Sequence, residues 1–136
     1  MNENKLKHLE FIQGVINRMG QNSFLLKGWA VTLVAGLFVF ANTQEIDYRF
    51  ISIALIPTIF FWFLDGYFLW QEKLFRKLYD HVRKKGAEEV VEFSMNVKPF
   101  EPEISSWIRI CLSTTLSLFY FPILVIIIIT MALVFK

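Results

Sequence analysis

The sequence predicts an all-α integral membrane protein with three transmembrane helices, an amphipathic N-terminal cytoplasmic helix and a cytoplasmic extension of the second span. Three observations carry this prediction. Long apolar runs occupy residues 23–41, 50–70 and 107–135, and a span needs about 20 mostly apolar residues. The chain of 136 residues is 55% hydrophobic and 17% aromatic, too apolar for an ordinary soluble domain of this size. Its basic residues are also segregated along the chain in the way that multi-pass proteins segregate theirs. The implied organisation is a cytoplasmic amphipathic helix over 1–22, a two-span hairpin over 23–70, a cytoplasmic helix and linker over 71–106, and a third span over 107–136.

The first ten residues, MNENKLKHLE, contain no apolar core, so no cleaved signal peptide is expected. Leu6, Leu9, Ile12, Val15, Ile16 and Met19 then recur three or four apart, which makes one apolar stripe on a helix. The first span carries Gly28, Thr32 and Gly36 at intervals of four, with Ala35 beside them. Small residues on one face allow close backbone approach in lipid, either between spans of one chain or between subunits.

The second span continues without Gly or Pro from residue 67 to residue 85, and Leu74, Phe75, Leu78, Tyr79 and Val82 repeat the helical spacing beyond Trp70. The economical arrangement is one long helix leaving the bilayer, with the N-terminal helix packed on it through Leu9, Ile12, Ile16, Leu74, Leu78 and Val82. Each stripe could otherwise lie flat on the membrane surface. Gly86 follows the basic Arg83, Lys84 and Lys85 and is the expected C-cap. Residues 88–103, with Val90, Val91, Phe93 and two prolines, read as an extended linker containing at most one short strand. The third run has a polar first half (Cys111, Ser113, Thr114, Thr115, Ser117 and Tyr120) and an aliphatic second half, divided by Pro122. Ser113, Thr114, Ser117 and Tyr120 are candidates for a polar path, or for a hydrogen-bonded face between helices. Pro57 and Pro122 each remove a backbone donor and permit a bend.

Charge sets the topology. Lys5, Lys7, Arg18 and Lys27 precede or enter the first span, and eight further cations, from Lys73 to Arg109, lie between the second and third. Only Arg49 and Lys136 fall on the other side, so the N-terminus is expected in the cytoplasm and the C-terminus outside. Asp65 lies within the second run, roughly 6–8 Å below the cytoplasmic interface at 1.5 Å per residue. Lys27 and Arg109 fall at similar depth, so Lys27, Asp65 and Arg109 form the expected intramembrane charge cluster. An unpaired charge there costs about 2.5–3.5 kcal/mol even on lenient insertion scales.

Little in the sequence points to an enzyme. His8 and His81 fall on the cytoplasmic helices without a ligand set and read as solvated polar-face residues. Cys111, the single cysteine, has no nearby histidine to make it a nucleophile and no partner for an intrachain disulfide. The six glycines are dispersed and form no phosphate-binding loop. No catalytic residue, metal or cofactor is expected. The basic cluster at residues 83–85 reads first as a solvated helix end; of possible ligands, lipid headgroups lie nearer than nucleic acid, so membrane lipids are expected partners of the protein and direct nucleic-acid binding is not.

The layout of cytoplasmic helix, short-looped hairpin and long cytoplasmic helix, with NSFLLKGWAVTLVAGLF (22–38) and FWFLDGYFLWQEKLFRKLYDHVR (61–83), resembles the small bacterial membrane proteins of the SLATT type. The resemblance covers residues 5–85, roughly 60% of the chain. It implies a homo-oligomeric inner-membrane effector, pore-forming or membrane-perturbing, in anti-phage conflict systems, or an accessory of a larger defence complex. This chain departs from that layout by adding a third span, and it shows no sensor domain of its own. The trigger would then come from a soluble activator or defence-system partner, or from the membrane. A non-conducting anchor that recruits a soluble partner, and a small transporter kept in view by Asp65, are the other classes.

Overall fold

The computed structural model describes residues 3–41, 48–86 and 92–135, and the predicted spans are helical apart from Ala54 and Leu112–Ser113. Helix α1 (Glu3–Ala41) is followed by α2 (Tyr48–Ile53), α3 (Leu55–Arg83), a 3-10 helix (Lys98–Glu103), α4 (Trp107–Cys111) and α5 (Thr114–Phe135). No strand occurs among the described residues. Three helical segments are long and apolar enough to cross a membrane: Glu3–Val39, Ile51–Arg83 and Thr114–Leu133.

The N-terminal helix and the first span are one uninterrupted element. At about 1.5 Å per residue the 39 residues of α1 reach nearly 60 Å, about twice the hydrocarbon thickness of a bilayer. No Pro occurs in α1 to interrupt it. The expected boundary at residue 22 therefore has no counterpart in the helix itself, which runs through it unbroken.

Helix α3 likewise continues beyond the second apolar run into the head, the part built from the start of α1, the end of α3 and residues 92–103, and α1 with α3 is the most extensive pairing in the fold. Pro57 sits near the start of α3, and Ala54 joins α2 to α3 in right-handed helical conformation, its N–H donating to the Ile51 carbonyl at 3.1 Å. A proline removes the bond to the carbonyl four residues back and crowds it, which here is Ile53, the last residue of α2.

Leu9, Ile12, Ile16, Leu78 and Val82 form one buried cluster in the head, and Leu74 is fully buried one turn closer to the membrane. The two stripes are thus packed on each other. Replacing Ile12 by alanine is expected to cost about 2–5 kcal/mol, the range for a buried aliphatic truncation. A lowered melting temperature, with faster tryptic cleavage at Arg18, checks this, and unchanged values for both would contradict it.

Three expectations for the head are corrected. Helix α3 ends at Arg83 with Lys84 as its cap in right-handed conformation; the Lys84 N–H donates to the Asp80 carbonyl at 3.1 Å. No glycine among the described residues has positive φ, so Gly86 is not a left-handed cap. Lys5 takes over part of that role, its Nζ donating to the Lys85 carbonyl at 2.6 Å. His8, expected in solvent, is buried: residues 92–97 lie over its face of α1, and its Nε2–H donates to the Ser94 carbonyl at 2.8 Å. The neighbouring Phe93 adopts φ 52°, a region that bulky side chains rarely occupy. Its ring stands 5.5 Å from that of His8 and 6.1 Å from that of Phe11. The linker is irregular over 92–97 and then a 3-10 helix containing Pro99 and Pro102; the expected strand positions Val90 and Val91 lie outside the described residues.

The third span is broken, though not at the expected place. Helix α4 stops at Cys111 and α5 starts at Thr114, whereas Pro122 is accommodated inside α5. Ser106 caps α4, its Oγ accepting from the Arg109 N–H. Ile110 and Cys111 turn inward onto α3, and the large apolar side chains Ile108 and Leu112 stay exposed.

Candidate functional site: a buried charge network between the spans

Asp65 lies on the inward face of α3 with 0% of its surface exposed. Each carboxylate oxygen is occupied. Oδ2 accepts from Lys27 Nζ at 2.6 Å and from the Tyr120 hydroxyl at 2.8 Å. Oδ1 accepts from the Ser23 hydroxyl. Lys27 Nζ also donates to Ser23 Oγ at 2.7 Å, so Ser23 both receives from the cation and donates to the anion. Ser23 and Lys27 meet because they are four residues apart on α1 and share a face. Tyr120 comes from α5, and one carboxylate therefore ties all three long helices together.

The ammonium and carboxylate sum to zero charge, which is how lipid-embedded charges are tolerated. The bonds are charge-assisted and stronger than neutral ones. Lys27 keeps 24% of its side chain exposed and sits 5.9 Å from the centre of the Phe119 ring, adding a weak cation–π contact. The network is thus closed on the Asp65 side and open at one edge through Lys27.

Arg109 does not join this cluster. The break at Leu112–Ser113 lets α4 turn Ile110 and Cys111 toward α3, and Arg109, one position before them, is exposed. The neutral hydroxyl of Tyr120 occupies the place foreseen for a second cation. Tyr120 is itself fully buried, stacked on Trp62 with ring centres 5.8 Å apart and an interplanar angle of 10°. Trp62 Nε1 donates to the Cys111 carbonyl at 2.6 Å. That carbonyl lies at the end of α4, where helix carbonyls lack an intrahelical partner.

Close packing holds this arrangement. Gly66, next to Asp65, is buried against Cys111: a Cβ there would overlap Cys111 Sγ and stand 3.3 Å from Cys111 Cα. Trp107 anchors the start of α4, donating from Nε1 to the Phe63 carbonyl at 3.0 Å. Sequence reasoning missed Ser23, Trp62 and Gly66. The Ser23–Lys27 spacing of four was the one signal that could have found Ser23.

The other predicted residues are placed as follows. Thr114 is exposed, Ser113 and Ser117 are half-buried, and the Tyr120 hydroxyl is committed to Asp65, so within one chain the four do not form a continuous polar lining. Ser113 Oγ is enclosed without a hydrogen-bond partner among the described residues. Gly28, Thr32 and Gly36 do not pack between spans of this chain: nothing lies within 4 Å of a Cβ at either glycine, and Thr32 donates to the Gly28 carbonyl at 2.9 Å. Among the described residues no group of three or more His, Cys, Asp or Glu side chains is placed to hold a metal ion.

Comparison with protein-family models, with curated proteins and with solved structures finds no match to the chain.

Proposed function

We propose that the chain is a homo-oligomeric membrane effector that permeabilises the bacterial inner membrane in anti-phage defence. The observation that supports this reading is the Asp65 network. It is a neutral polar junction between α1, α3 and α5 at one level of an otherwise apolar bundle, and rearranging it would expose hydrated groups at that level. Three helices around a filled junction leave no route through a single copy, so the reading requires several copies. The exposed face of α1 with Gly28, Thr32 and Gly36 is available for their close approach. The resemblance of residues 22–38 and 61–83 to SLATT-type proteins supports the defence setting and the cytoplasmic placement of the basic head. An activator would act on the head, whose packing α1 and α3 transmit directly to Ser23, Lys27 and Asp65.

A non-conducting anchor is the competing reading, and the exposed Phe11 and Phe93 on the head favour it, because apolar patches in water mark partner surfaces. Ion flux into liposomes separates the two. A defined oligomer is expected to conduct, with flux altered in Asp65→Asn. Absence of flux in the wild type and in whole-cell depolarisation assays with the native neighbouring genes present would instead make the chain an anchor. Flux that depends on one solute or on a proton gradient would make it a transporter.

A further inference from the structure

We infer that the groove between the emerging ends of α1 and α3 is a binding site for one phospholipid with a primary-ammonium headgroup. The groove is shallow and open, with a volume of about 540 Å³, and its lining includes Asn17, Gly20, Gln21 and Phe24 of α1 with Glu72 and Arg76 of α3. It straddles the boundary of the apolar runs: Phe24 follows the first residue of the first run, and Glu72 lies two residues beyond the last of the second. A molecule filling it therefore meets hydrocarbon at one end and water at the other. Phe24, at the end nearer the apolar runs, is 76% exposed and offers apolar surface to an acyl chain.

The polar end carries one charge of each sign. Arg76 Nη2 stands 3.3 Å from Glu72 Oε1 in a pair exposed on its Arg76 side, where such contacts contribute little by themselves. A guanidinium has five donors, so Arg76 keeps donors for a phosphate while it touches Glu72. Glu72, mostly buried, keeps its second oxygen for an ammonium. Asn17 Oδ1 accepts from Gln13 Nε2 at 3.0 Å, which leaves the Asn17 amide N–H to donate to phosphate or ester oxygens. Gly20 lines the groove; a Cβ there would be in ordinary contact with Glu72 Oε1 at 3.6 Å, and a longer side chain would project beside the carboxylate. The order of charges matches a phosphoethanolamine: its phosphate meets Arg76, and its ammonium donates to Glu72. A choline headgroup has no N–H to donate, and a glycerol headgroup brings no cation to Glu72.

Native mass spectrometry of the full chain, released from detergent with equimolar phosphatidylethanolamine, phosphatidylglycerol and phosphatidylcholine, tests this. One phosphatidylethanolamine per chain should be retained, with a preference of about tenfold over the other two, the factor that roughly one charge-assisted hydrogen bond confers. Glu72→Gln should abolish the preference, and Arg76→Gln should lower retention of all three lipids. Gly20→Leu should lower retention of all three at an unchanged melting temperature. Equal retention of the lipids by the wild type, a preference for phosphatidylglycerol, or a preference that survives Glu72→Gln would each overturn the site. Ion flux plays no part in this readout, so it stands or falls separately from the permeabilising function.

Discussion

Replacing Lys27 by methionine is expected to destabilise the bundle by about 3–5 kcal/mol, the range for removing one partner of a buried ion pair. The residue left behind decides the size. Asp65 has no exposed surface, and without Lys27 it would keep only two hydroxyl donors, from Ser23 and Tyr120. The converse change, Asp65→Leu, leaves a lysine already 24% exposed at the edge of the junction. Its stem can extend along apolar surface and carry the ammonium to the headgroups, so this variant should lose less. Replacing both partners by apolar residues removes the desolvation cost together with the attraction, and such exchanges are often neutral or better. Recovery in Lys27→Met/Asp65→Leu should nonetheless be incomplete, because the Tyr120 hydroxyl would be buried without an acceptor at a cost of about 1–3 kcal/mol. Adding Tyr120→Phe should restore most of that difference.

Thermal melts in detergent give the order of these variants, and the single cysteine gives an independent reading. Cys111 is 2% exposed against α3, so maleimide labelling should be slow in the wild type and in the triple variant, and fast in Lys27→Met. Equal melting temperatures for Lys27→Met and the wild type would mean that the pair contributes no net stability. The Asp65 junction would then have to be explained by something other than holding the spans together.

The parts of this fold that follow from periodicity were legible in the sequence. Apolar length defines three spans, and spacing of three and four defines the stripe that places Ile12 against Leu78. The Lys27–Asp65 contact also follows from simple depth, since both residues lie a similar distance inside their runs. Depth does not specify azimuth, and the expectation for Arg109 failed there: its level was reasonable, but the break at Leu112–Ser113 sets which side of α4 faces α3. Ser113, Thr114 and Thr115 are the signal at that break, since such residues favour helix starts, but Pro122, the more evident helix breaker, sits ten residues beyond Leu112, inside a continuous α5. His8 was misread for a related reason. Its burial depends on residues 92–97 crossing back over α1, a long-range contact with no periodic signature. The outward face of Gly28 and Gly36 could not be settled from spacing either, because small residues every four positions fit a neighbouring span and a neighbouring subunit equally well.

Gly66→Ala is the second large effect expected, and it tests whether the break in the third span serves the charge network. The added Cβ would overlap Cys111 Sγ, and the atoms behind the sulfur, Cys111 Cα and Cβ, lie 3.3 Å away. Rotating the thiol can relieve the first overlap, but only a shift of α4 can relieve the second. Overpacking of this kind costs about 1–3 kcal/mol. The displacement should also reach beyond the contact: Cys111 O accepts from Trp62 Nε1, Trp62 stacks on Tyr120, and Tyr120 donates to Asp65. Moving α4 away from Gly66 therefore pulls on the hydrogen bond that holds α5 to the carboxylate. Cys111→Gly in the Gly66→Ala background removes both side-chain atoms and should recover part of the stability, whereas Cys111→Ser, which keeps an atom at the γ position, should recover little. If Gly66→Ala melts like the wild type and the hydroxyl of Tyr120 can still be removed at the same cost as before, α4 yields without disturbing Asp65. The break would then be only a way of seating the third span at the interface. A Gly66→Ala variant in which Tyr120→Phe has become nearly silent would mean that the Tyr120–Asp65 bond was already lost, and that close packing at Gly66 is what brings the third helix into the network.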